Sequence, residues 1–177
     1  MYNARWVNAG MSKIILLVED DEDQARLAMR ALRKHGIVDE VDEVVVAGDG
    51  AEALDYLFAT GSYAGRDVGV MPEFVLLDVQ LPRMDGLQVL KHLREDERTE
   101  LLPVILFSSS KEHVLEGYKL GANSYVTKPA NFGGFSKALQ YLGWFGSTST
   151  KRRKEWSSLW VTSRSSGTPR TSLTVGS

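Results

Sequence analysis

Five short apolar runs punctuate the chain, at residues 14–18, 44–47, 74–77, 104–107 and 125–127. The first four are continuous rather than alternating, which is the pattern of strands covered on both faces of a sheet. The stretches between them have helical spacing. Ala25, Ala28, Met29 and Leu32 fall at i, i+3, i+4 and i+7 and line one stripe of a helix. Gly36 follows where a helix C-terminus favours glycine. Residues 51–60, 86–95 and 112–120 read as further helices, and 131–145 as a last one with Asn131 as its N-cap. The order is βαβαβαβαβα, which predicts an α/β domain with a doubly wound parallel sheet and helices on both faces.

In such a sheet the ligand site lies beyond the carboxyl ends of the strands, so chemistry is sought there. The first strand runs into Glu19 and Asp20, then Asp21, Glu22 and Asp23. The third ends in Asp78, the fourth in Ser108, Ser109 and Ser110, and the fifth in Lys128 and Pro129. Taken singly, each has an ordinary reading. Acids favour the first turn of a helix, and serines favour loops. Together they place three carboxylates, a hydroxyl and an ammonium on one rim. Three like charges need a cation, and hard oxygen donors suit Mg2+. A lysine opposite them completes a cradle for a phosphoryl group in transfer. A carboxylate there can itself be the nucleophile and become an aspartyl phosphate, with Ser108 donating to its oxygens.

Composition narrows the class further. The chain has 177 residues, 43% of them hydrophobic and 25% charged, an ordinary globular balance. It has no cysteine, which excludes disulfides, thiolate metal sites and cysteine nucleophiles and fits a cytoplasmic location. No apolar run reaches the ~20 residues that span a bilayer. The net charge of −2 conceals an asymmetry. Residues 146–177 carry six basic side chains and one acid, a net of +5, against 15 basic and 22 acidic in the rest, a net of −7. Three segments are therefore expected: an N-terminal extension over 1–11, a folded domain over 12–145, and a basic Ser/Thr-rich disordered tail over 146–177.

The stretches ILLVEDDED, FVLLDVQLPRMDG, VILFSSS and GANSYVTKP, in that order, resemble the receiver domains of two-component response regulators. The resemblance implies the flavodoxin-like strand order 2-1-3-4-5. It implies that Asp78 is the phosphoacceptor, and that Glu19, Asp20, Asp78 and the backbone carbonyl of Gln80 hold Mg2+. Lys128 matches the phosphate-pairing lysine. Ser108 and Tyr125 match the switch hydroxyl and switch aromatic. Pro82 and Gly86 match the turn after the acceptor, and the Lys128–Pro129 bond matches a position that is cis in the family. The stretches LDYLFATG and GANSYVTKPANF, with a long loop over 62–72, look like the small regulators of phytochrome-type histidine kinases. That likeness implies a phosphohistidine donor on a sensor kinase, of bacteriophytochrome type, and a switch with only intrinsic phosphotransfer and autodephosphorylation activity.

The output is expected through protein contacts. Phe132, Phe135, Leu139 and Leu142 form one apolar stripe of the last predicted helix, and Ala138, Tyr141 and Phe145 a second, with Trp144 beside it. One stripe serves the core. The surplus, Ala138, Tyr141, Trp144 and Phe145, reads as the interface of a homodimer formed through helix four, strand five and helix five. Two other functions compete. A magnesium-dependent aspartate phosphatase typically carries a second aspartate two residues after the first, where this chain has Gln80. A DNA-binding regulator would act through the basic run Lys151 to Lys154, but the tail is too short for a helix-turn-helix domain. His35, His92 and His113 fall on separate helices and read as surface or helix-end residues rather than a metal site.

Overall fold

The computed structural model describes residues 13–38 and 42–128. Five parallel strands form one sheet: β1 (Ile14–Val18), β2 (Glu43–Ala47), β3 (Phe74–Asp78), β4 (Val104–Ser108) and β5 (Ser124–Thr127). Their order is β2-β1-β3-β4-β5. The register sets Val18 beside Ala47 and Leu77, and Ser108 beside Thr127, so the carboxyl ends of the strands make one rim. The expected order and the parallel sheet are therefore observed. The connecting helices are α1 (Glu22–Lys34), α2 (Gly50–Phe58), α3 (Gly86–Glu95) and α4 (Val114–Lys119). The fifth expected helix, the interface residues Ala138, Tyr141, Trp144 and Phe145, the Lys128–Pro129 bond and the tail lie outside the described residues.

Alternate residues of the central strands feed two cores, because successive strand side chains point to opposite faces. Ile15 and Leu17 pack with Ala25, Ala28, Ala31 and Leu32 of α1. Leu16, Val18, Val75 and Leu77 pack with Ala53, Leu57, Val89, Leu90 and Leu93 of α2 and α3. The sheet is thus covered on both faces, as continuous apolar strands require. β2 is the exception: it lies at the sheet edge, and Val46 is exposed. Its apolar run does not distinguish an edge strand from a central one.

Local chemistry sets the helix ends. Asp21 caps α1 by accepting from the amides of Asp23 and Gln24 at 2.8 and 3.0 Å. Gly36, at φ +63°, takes the left-handed conformation just beyond its C-terminus. Asp85 and Gln88 close a reciprocal capping box on α3. The segment expected as one helix over 112–120 begins instead as a 3-10 turn, Lys111–His113, and becomes α-helical at Val114. His113 has no side-chain cap to start a full helical turn. α4 also packs tightly on β4, since a Cβ at Gly117 would meet Leu106 Cδ1 at 2.3 Å. Among the described residues no helix is long and apolar enough to cross a membrane.

Candidate functional site

The acidic run after β1 divides its labour. Asp21 is spent on the helix cap, and Asp23 pairs with Arg26 at 2.8 Å. Glu19 and Asp20 turn instead to the rim, where one carboxylate oxygen of each lies within 4.8 Å of one on Asp78. Glu19 and Asp78 are each only 4% exposed, while Asp20 is open to solvent. β1 and β3 are neighbours whose connections leave toward opposite faces of the sheet, so this rim is the switch point of the fold.

Lys128, just after β5, reaches across the end of β4 to this cluster. Its ammonium donates to Glu19 Oε2 at 2.6 Å and to Asp78 Oδ2 at 2.7 Å. The Lys128 amide donates to Ser108 O at 2.7 Å, and the ammonium lies 5.3 Å from the Phe107 ring centroid. Burial pushes the carboxyls of both Glu19 and Asp78 above the usual carboxylate range, and the Lys128 contacts pull partly against that rise. Two enclosed acids with one lysine between them leave negative charge in excess. Hard oxygen donors in that state fit a divalent cation.

The loop after β3 is tightly held. The Gln80 amide donates to Asp78 Oδ1 at 3.2 Å, and the Gly86 amide donates to Val79 O at 2.9 Å. A Cβ at Gly86 would meet Asp78 O at 2.1 Å, so only glycine fits where α3 starts against the end of β3. The Gln80 side chain accepts from Ser109 Oγ at 3.0 Å, joining the loops after β3 and β4.

Ser108 is fully buried, and its Oγ accepts from the Ser110 amide at 3.2 Å. Tyr125 is half-buried, and its hydroxyl donates to Ser110 O. The expected switch pair is therefore joined through the backbone of a single residue, Ser110. Glu19, Asp20, Asp78 and Lys128 converge as the strand-end pattern anticipates, with Gln80 bonded to Asp78 and Ser108 at the end of the adjacent strand.

Sequence reasoning missed three contacts. Arg83 pairs with the buried Asp49. The Gln80 side chain pairs with Ser109. Arg94 of α3 donates to Gly121 O at 3.0 and 2.9 Å and to Asn123 Oδ1 at 3.0 Å. None has a spacing signal, because each joins separate loops or elements that meet only in the fold. Of the histidines, His35 caps α1 and His92 Nδ1 lies 2.8 Å from Gln88 O. His113 Nδ1 is the one buried side-chain nitrogen or oxygen among the described residues without a hydrogen-bond partner.

A doubly wound sheet in this order, with an acidic, lysine-bridged cluster at its switch point, defines a metal-capable α/β signalling domain. The family model for the response regulator receiver domain matches residues 15–140, and the chain belongs to that family. Accepting a phosphoryl group is the family's general function, and its members are switches that bind a divalent metal. Response regulator Rcp1 of Synechocystis sp. is 32% identical over 130 residues, 72% of this chain and 84% of Rcp1. The crystal structure of its Mn(2+)-bound form matches with a TM-score of 0.68 at 31% identity, over 78% of this chain and 97% of that one. The phosphorylated cyanobacterial phytochrome response regulator RcpA matches with a TM-score of 0.69 at 35% identity, over 79% of this chain and 98% of that one. The bacteriophytochrome response regulator AtBRR is 43% identical with a TM-score of 0.63, over 80% of this chain and 99% of that one. The chain is thus similar to response regulators of phytochrome signalling.

Proposed function

We propose that Asp78 accepts a phosphoryl group from a phosphohistidine of a sensor histidine kinase, and that Glu19, Asp20, Asp78 and the Gln80 backbone carbonyl hold Mg2+ for this step. The observation that carries the reading is Lys128 bridging Glu19 and Asp78, with Asp20 within reach, at the switch point of the sheet. In the transfer, an oxygen of Asp78 forms the new O–P bond as the P–N bond of the donor breaks, and the electron pair returns to the imidazole. Bound Mg2+ supplies the positive charge that the crowded carboxylates and incoming oxygens require. Lys128 supplies a second, fixed positive charge from the opposite side. Slow attack by water on the acyl phosphate reverses the state, with Gln80 and Ser110 beside its path.

Phosphorylation adds about −1.5 to −2 of charge and strong acceptor oxygens. Ser108 turns toward them, and the Ser110 backbone, bonded to both Ser108 and Tyr125, relays the change. The output face is α4, β5 and the helix expected over 131–145. Exposure of Leu115 at 65% and Tyr118 at 41% on α4 supports a homodimer there, with Ala138, Tyr141, Trp144 and Phe145 contributing. The phytochrome-related descriptions of RcpA and AtBRR support a light-regulated donor kinase, and the protein works with it in the cytoplasm. The tail after residue 145 takes no part, and nucleic acid is not a ligand.

The test is incubation with Mg2+ and acetyl phosphate, or with beryllofluoride, using Asp78→Asn as the control. Expected is one Asp78-dependent modification by intact mass and a conformational response by NMR. A wild-type protein that behaves as the Asp78→Asn variant does would sink the reading. Sedimentation velocity with and without beryllofluoride tests the dimer, and a monomer in both states excludes it.

A further inference from the structure

The loop that follows Asp78 is anchored on a second element, the start of α2. Arg83 adopts φ +63°, a conformation that a side chain with a Cβ takes only when its surroundings impose it. Its guanidinium pairs with Asp49, which is 6% exposed. The Asp49 carboxylate is itself fixed, since its Oδ1 accepts from the Glu52 amide at 2.9 Å as the N-cap of α2. Next to it, a Cβ at Gly50 would meet Met84 O at 2.5 Å, so the turn around Pro82 and Met84 lies directly on the start of α2. The segment closes back on its own start, where Gly86 is pressed against Asp78 O. Gln80 lies between Asp78 and Arg83 in the chain.

We infer that Asp49 and Arg83 are a positioning pair for the metal site. This inference rests on the proposed function, because it assigns the pair to the loop whose Gln80 carbonyl would complete the Mg2+ shell. Free of its anchor, the 79–85 segment relaxes out of the conformation that Arg83 now holds, and the Gln80 backbone leaves the carboxylate cluster. Arg83 is well exposed, and an exposed ion pair alone does little. Here one partner is enclosed and already oriented by the helix cap, so the pair specifies where the loop sits. Neither residue is among the groups that would hold the phosphoryl group or the cation. The loss is therefore in affinity for the ion and not in the chemistry once it is bound.

The full chain is titrated with Mg2+ by calorimetry and then phosphorylated with acetyl phosphate across a range of Mg2+ concentrations. The variants are Arg83→Ala, Arg83→Lys, Asp49→Asn and the double variant Arg83→Ala/Asp49→Asn. Asparagine caps a helix as well as aspartate does, so Asp49→Asn removes the charge and keeps the cap. Partners that orient metal ligands typically account for about 10–100-fold in affinity, and about tenfold weaker Mg2+ binding is expected for each single variant. The double variant should bind no more weakly than the singles, Arg83→Lys should recover most of the loss, and saturating Mg2+ should restore the wild-type phosphorylation rate. Unchanged Mg2+ affinity in the singles, or losses that multiply in the double variant, overturns the inference. Should Asp49→Asn fail to fold, Arg83→Ala alone decides, because its cap is intact. A wild type that binds no Mg2+ overturns the proposed function as well. A wild type that binds while its variants bind equally overturns only this inference.

Discussion

The Lys128 ammonium lies 2.7 Å from Asp78 Oδ2, and the two side chains are 11% and 5% exposed. Fifty residues separate them in sequence. The same ammonium holds Glu19, so two enclosed acids share one cation. Removing it leaves both acids without their counter-charge. Breaking a buried pair from one side typically costs about 3–5 kcal/mol. Lys128→Met should therefore lower stability by roughly that amount at neutral pH without metal, measured by urea unfolding. Adding Asp78→Asn to Lys128→Met should recover a large part of the loss, because one of the stranded charges is gone. Equal stability of Lys128→Met and wild type would show that the pair is not desolvated in solution.

The acid shifts predict a pH dependence with a definite sign. Glu19 and Asp78 are both held above the usual carboxylate range, with burial as the leading cause. A carboxyl whose folded pKa exceeds its unfolded value keeps its proton longer in the folded state. Between the two values the native state binds more protons, so its stability falls as pH rises through that window. Mg2+ requires the deprotonated acids, so its affinity should rise over the same window. Thermal melts and Mg2+ titrations across the acid range should move in opposite directions. The melting curve of Asp78→Asn should depend less on pH there.

Gly86 is irreplaceable for a geometric reason. A methyl group there would overlap Asp78 O at 2.1 Å, and that neighbour is backbone and cannot step aside. Overpacking typically costs about 1–3 kcal/mol. Gly86→Ala should lose at least that much stability by denaturant unfolding. It should also slow acetyl-phosphate labelling of Asp78 through displacement of the end of β3. Wild-type labelling in a folded Gly86→Ala protein would argue against this coupling.

Arg94 staples α3 to the turn before β5. It donates to Gly121 O and to Asn123 Oδ1, and Asn123 Oδ1 also accepts from the Val104 amide at 2.7 Å. Hydrogen bonds from charged groups contribute about 1.5–3 kcal/mol. Arg94→Ala should destabilise the fold by roughly that much, with Asp78 labelling unchanged well below the melting temperature. A labelling defect comparable to that of Asp78→Asn would mean that the staple also sets the rim.

The residues differ in how far they could be read before the fold was seen. The strands, the parallel sheet and the rim were legible because continuous apolar runs of strand length, alternating with helical stripes, admit few arrangements. Strand ends then lead to Glu19, Asp20, Asp78, Ser108 and Lys128 by position alone. The same pattern was blind to the edge position of β2, since Val44, Val45 and Val46 look like any buried run. It also drew one helix over 112–120 where a 3-10 turn ends at an uncapped His113 before α4 begins.

What the sequence determined by itself is the order of elements and which residue types each strand delivers, because periodicity and strand ends are local properties. The tertiary structure alone decided the partners. Lys128 rests on Glu19 and Asp78, Asp21 leaves the site to cap α1, Ser110 joins Ser108 to Tyr125, and Arg83 reaches Asp49. Apart from the cap, these contacts link loops or strand ends distant in sequence or turn on side-chain orientation. Their geometry exists only once the sheet has brought the strand ends to one rim.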